Sequence, residues 1–94
     1  MAIGILTLHV SIPDCHSLKQ KRSRIQPVLA RLHREFNVAA AETNMQDRHG
    51  EAVIQCAALS TSGGEVQAFL QKVVDFYGDT WPDMEILSYR IECI

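Results

Sequence analysis

The order of hydrophobic patterns along these 94 residues predicts an α+β fold, read as strand, helix, strand, strand, helix, strand. Three observations carry that prediction. Strict alternation near the start puts Leu6, Leu8, Val10 and Ile12 on one face and Thr7, His9 and Ser11 on the other. Two stretches repeat their apolar residues at helical spacing. Between them lie two short apolar runs joined by a polar connection, the pattern of a hairpin.

Taken in order, Ala2–Ile12 is a strand with one buried face, ended by Pro13-Asp14. Ser17–Phe36 follows as a long helix. Ser17 with Gln20 is a capping-box pair, and Leu18, Ile25, Val28, Leu29, Leu32 and Phe36 form the apolar stripe. Pro27 falls inside it and removes a backbone donor, so a bend is expected. Ser23 with Gln26 offers a later start. Asn37 is the expected stop. Val38–Thr43 is a weaker, alanine-rich strand, Asn44–Gly50 a polar connection, and Glu51–Ser60 a third strand with apolar residues on both faces. Ser62 with Glu65 opens a second helix that runs through Tyr77. Its stripe is Val66, Phe69, Leu70, Val73 and Tyr77, and Gly78 is expected to close it. Met84–Ile94 is the last strand, with Leu87, Tyr89, Ile91 and Cys93 on one face. Two crossover helices around a central hairpin give the ferredoxin-like β-α-β-β-α-β sandwich, a four-stranded antiparallel sheet with both helices on one face, in a single domain spanning residues 1–94.

Composition narrows the function classes. The hydrophobic fraction of 47% is ordinary for a globular domain, and no apolar run reaches the length of a membrane span. The expected setting is cytoplasmic, with no membrane partner. Cys15, Cys56 and Cys93 are odd in number and far apart, so neither a disulfide framework nor a zinc site is expected. The four histidines lack ligand spacing, and there is no glycine-rich phosphate loop. No metal and no cofactor are expected.

Charge is distributed unevenly. Residues 1–34 sum to +5 and residues 35–94 to −7. Six of the nine Lys and Arg residues lie in the first helix: Lys19, Lys21, Arg22, Arg24, Arg31 and Arg34. Four of these crowd its first two turns, where the helix dipole disfavours cations by ~0.3–1 kcal/mol each. A feature that opposes local stability points to binding of a polyanion; the plainer alternative is a solvated face. The central strands contain no aromatic residue, so the base-stacking mode of RNA recognition on this fold is absent, and any RNA is expected on the basic helix. A second candidate is the loop region of Glu42, Gln46 and Asp47, where Glu42 and Asp47 flank the central loop and read as paired carboxylates or, better, as turn chemistry. The sheet face away from the helices offers Ile3, Ile5, Val53, Ala57, Leu59, Met84 and Ile86, too apolar for full solvation.

Several strings together resemble the YlxP-like family of small bacterial proteins of unknown function. They are Ser17-Leu18-Lys19-Gln20-Lys21-Arg22, Phe36-Asn37-Val38, Ala41-Glu42, Gln46-Asp47, and Trp81 through Leu87. The resemblance spans nearly the whole chain. It implies a ferredoxin-like fold, a cytoplasmic setting, and genes near those for translation initiation and ribosome maturation, with no established activity. The chain departs from the family pattern after Asp47, carrying Arg48-His49 where relatives often have Leu-Trp. No role resting on an aromatic there is carried over.

The leading expectation is a non-enzymatic protein that docks on structured RNA or a ribonucleoprotein through the first helix, with ribosomal RNA or the ribosome as partner. The alternative is a homodimeric structural or small-ligand-sensing domain with no nucleic-acid role. A small enzyme centred on Cys15, His16 or the Glu42–Asp47 segment is the last rival.

Overall fold

In the computed structural model, which describes residues 1–94, six elements follow the expected order: β1 Ala2–Ser11, α1 Leu18–Glu35, β2 Ala39–Asn44, β3 Glu51–Ser60, α2 Gly63–Thr80 and β4 Ile86–Cys93. The strands form one antiparallel sheet in the order β2-β3-β1-β4. This is the ferredoxin-like α+β arrangement. The alternation in β1 lands as read, with Leu6, Leu8 and Val10 buried and Ile3, Thr7 and His9 turned to the open face. Across the sheet, Leu6 pairs with Cys56 and Leu8 with Ile54, so the core is seeded by residues directly opposite one another. No helix is long and apolar enough to cross a membrane.

α1 starts where its cap predicts. Ser17 is extended, and its hydroxyl accepts from the Gln20 N–H at 3.1 Å. The Gln20 side chain does not return to Ser17; it accepts from the N–H of His16 at 2.7 Å, one residue earlier. The later start is unused: the Ser23 hydroxyl donates back to the Gln20 carbonyl, and the helix runs through Pro27 unbroken. Its end differs from expectation. Phe36, not Asn37, is the cap, in extended conformation with its N–H on the Leu32 carbonyl. The Phe36 ring is held edge-on against Phe69 and Phe76, and that packing ends the helix without a left-handed residue.

α2 also outruns its expected stop. It continues through Gly78 to Thr80, and the Trp81 N–H closes it on Tyr77. Gly disfavours a helix by ~1 kcal/mol, and local packing outweighs this. Tyr77 is fully buried, and its hydroxyl donates to the Met84 carbonyl at 2.8 Å. Trp81 lies against both the Tyr77 and Phe76 rings. Burial, aided by Asp83 and opposed by Arg24, pushes the Tyr77 phenol well above its ordinary range.

The last strand is the least faithful to its pattern. Met84 is buried in the turn before it, and a register shift between His9 and Val10 leaves Leu87 unpaired. Val10 therefore faces Ile86, and Met84 and Ile86 join the core side rather than the open face. The open face keeps Ile3, Ile5, Val53, Ala57 and Leu59 from the expected set.

α2 approaches β1 at Gly4. A methyl there would sit 2.9 Å from both the Leu70 and Val66 side chains. Gly4→Val is expected to lower stability by ~1–3 kcal/mol through overpacking, read as a shift of the urea midpoint. An unchanged midpoint would mean that α2 does not seat this closely.

Candidate nucleic-acid interface

The six cations of α1 separate into three groups. Lys21 is the first, and it corrects the sequence reading. It is 1% exposed and belongs to the buried face with Ile25, Val28 and Leu32. Its ammonium donates to the carbonyls of Met45 (2.6 Å) and Arg48 (2.5 Å) and pairs with Glu42 Oε2 at 2.6 Å. The ammonium thus has two carbonyl acceptors and a carboxylate at ion-pair distance, and at this burial it is out of reach of a phosphate.

Arg24 and Arg31 form the second group, engaged within the protein. Arg24 donates to the Pro13 carbonyl and lies 3.8 Å from the Asp83 carboxylate, joining the turn after β1 to the loop before β4. Arg31 pairs with Glu35 at 3.0 Å, and its guanidinium lies 5.3 Å from the centre of the Phe76 ring.

Lys19, Arg22 and Arg34 are the third group. All three are exposed, and none has a carboxylate within ion-pair distance. No acidic residue occupies the first turn of α1 to offset Lys19 and Arg22, whereas Arg34 lies in the last turn, where the dipole favours a cation. At ~100° per residue they fall, with Gln26, on an arc of roughly 120° opposite the buried stripe, along roughly 22 Å of helix.

The second candidate set is brought against the first. Glu42 lies within β2, not in the connection. Its Oε2 lies 2.6 Å from the ammonium as an ion pair, makes no hydrogen bond and has no exposure to water. Gln46 and Asp47 are the exposed tip of a tight turn closed by the Arg48 N–H on the Met45 carbonyl at 3.0 Å. That Met45 carbonyl and the carbonyl of Arg48 are the two that Lys21 grips. Leu18, Lys21, Arg22, Gln26, Glu42 and Gln46 line a hollow of ≈ 190 Å³ between α1 and this turn. The two candidate regions are therefore one continuous polar surface. Arg48 joins it only partly, since it lies 3.6 Å from Glu51.

Lys21 had a signal in the sequence. Leu18, Lys21, Ile25, Val28 and Leu32 run at spacings of three, four, three and four, so position 21 continues the stripe.

The cysteines are placed in different surroundings. Cys15 is buried, with its thiol 3.5 Å from the Ser17 carbonyl, and His49 Nδ1 contacts the Cys15 carbonyl at 2.8 Å. Burial pushes the Cys56 thiol up to about 11. His9 pairs with Glu51 on the open face, and His33 bonds the Val38 carbonyl. Groups of three or more His, Cys, Asp or Glu suited to a metal ion do not converge anywhere in the chain.

Fold and site together define a class: a small ferredoxin-like domain whose first helix is clamped by a buried lysine to the turn of the central hairpin. The chain belongs to the family described as Protein of unknown function (DUF503), which matches residues 3–91. It is 33% identical over 90 residues to the uncharacterized protein YlxP of Bacillus subtilis (strain 168), across 96% of this chain and 97% of that protein.

Proposed function

We propose that this protein is a non-enzymatic docking protein that binds structured RNA, in the setting of a cytoplasmic ribonucleoprotein such as the ribosome, through the exposed ridge of α1. One observation carries the reading: Lys19, Arg22 and Arg34 stand unpaired on one ridge of a chain that has 11 carboxylates and a net charge of −2. With carboxylates in excess, the lack of local partners leaves that ridge positive. Cations at a helix N-terminus oppose the dipole, while phosphate contacts compensate them and gain from counterion release.

Three contacts imply a slope of ~2–3 in log affinity against log salt, so doubling the salt should weaken binding by about four- to seven-fold. Fluorescence anisotropy on ribosomal RNA fragments measures it. Lys19→Glu combined with Arg22→Gln should remove most of the binding while thermal melts stay at or above wild type, because an acidic residue suits the first turn. Arg22 is neutralised rather than reversed because it shares the hollow with Glu42. Salt-independent binding, or a double variant that binds as well as wild type, would leave the ridge a solvated surface.

A second reading has its own observation. On the open sheet face Ile3 is 37% and Leu59 64% exposed, beside Ile5 and Ala57. That apolar corner favours a homodimer closed through the face, with or without RNA. Sedimentation at micromolar concentration should give roughly twice the chain mass; a clean monomer at ~100 µM would remove this reading.

A further inference from the structure

We infer that Lys21 is a positioning residue: it clamps the β2–β3 turn to α1 so that the tip, Gln46 and Asp47, meets the RNA beside the cations of the ridge and selects its sequence. The inference rests on the ridge being an RNA interface and extends it to a second element with a different task.

Packing alone does not explain Lys21. Its neighbours on the buried stripe are Ile25, Val28 and Leu32, and an apolar side chain at 21 would continue that face. Replacing a buried ion pair by apolar groups of similar volume is often neutral or stabilising. What an apolar residue cannot supply is a directed hold on the Met45 and Arg48 carbonyls. Those carbonyls belong to the two ends of a single turn, so one ammonium fixes the turn's position and tilt. Met45 itself has φ 58, a left-handed conformation that a non-glycine residue keeps only when its surroundings enforce it. Three interactions enforce it here: the Lys21 bond, the Arg48 N–H on the same carbonyl, and the Asn44 side chain on the Met45 N–H at 2.8 Å.

The tip so fixed has little internal work. Gln46 makes one long bond, 3.4 Å to the Glu42 carbonyl, and Asp47 has no side-chain partner. Polar side chains on a rigidly held, exposed turn are the usual form of a recognition element. Their chemistry also differs from the ridge. Lys and Arg on phosphates set position, whereas an amide and a carboxylate match the donors and acceptors of base edges. Gln46 and Arg22 border the same hollow, so a nucleotide whose phosphate lies on Arg22 brings its base within range of the tip.

The test uses the whole chain and ribosomal RNA fragments of differing loop sequence. Gln46→Ala and Asp47→Ala should change the ranking of fragments and leave the salt slope unaltered. Arg22→Gln should weaken all fragments alike and lower the slope by ~0.7–0.9. Lys21→Met with Glu42→Gln keeps side-chain volume and removes the buried pair. It should flatten the ranking, weaken the best fragment about five-fold or more, and make Gln46→Ala silent. That silence is the mark of positioning, since a general loss of stability leaves the effect of Gln46→Ala intact. Hydrogen exchange on the same variant should speed up at residues 45–49 and not in β1 or β3. An unchanged ranking in the tip variants, or a Gln46→Ala effect that persists without the clamp, overturns the inference while the ridge reading stands. Absence of salt-dependent RNA binding by the wild type overturns both.

Discussion

Lys21→Ala should lower stability by about 3 kcal/mol, the low end of the cost of breaking a buried ion pair. The change empties the side-chain volume, strips two turn carbonyls of their donor, and leaves Glu42 with its only compensating partner gone. The Glu42 side chain retains 20% exposure, so it can turn partly toward water, which keeps the loss from the top of the range. Adding the second change is informative. Lys21→Met with Glu42→Gln should return to within ~1 kcal/mol of wild type, because both charges leave together. Urea midpoints measure the series. A cost under ~1 kcal/mol for Lys21→Ala would mean that the ammonium is solvated and the clamp does not exist. A charge reversal at position 21 therefore tests folding rather than binding, since it would set a carboxylate against Glu42.

Leu32→Ala should cost ~2–5 kcal/mol through the cavity it leaves. Leu32 is fully buried on the core stripe of α1. Arg31, one residue away, has an exposed pair with Glu35 and a cation–π contact with Phe76, each worth about 1 kcal/mol or less. Arg31→Ala should therefore cost only ~1 kcal/mol, well below its neighbour. Equal urea midpoints for the two variants would place the helix in the wrong rotational phase.

Much of the fold was legible because periodicity reports which face is buried. The alternation of β1, the bounds of β3 and the stripe of α2 all follow from burial that each segment needs wherever its partners lie. What escaped depends on partners distant in sequence. The stop of α1 at Glu35 is set by aromatic packing of Phe36 on α2. The extension of α2 past Gly78 is set by Tyr77 and Trp81. The shift in β4 arises from its pairing with β1, which the alternation of β4 alone does not encode.

At the site, charge misled. Lys21 has the position of a core residue and the chemistry of a surface one, and lysine is rarely fully buried unless paired. Two of its three partners are backbone carbonyls, which leave no trace in sequence, and the third, Glu42, is 21 positions away. The helix cations and the Gln46-Asp47 turn were each recognisable. Their joining into one surface was not, because Lys21, which joins them, carries the same charge as its neighbours on the helix.

If the ridge of α1 and the tip of the β2–β3 turn form one RNA-facing surface, both should respond together to RNA. Amide chemical shifts of the full chain, followed while a ribosomal RNA fragment is titrated in at low salt, measure that response. The expected result is a set of shifts confined to residues 18–34 and 45–49, fading together as salt is raised. Shifts centred on Ile3, Ile5, Ala57 and Leu59, or none at saturating RNA, would contradict it.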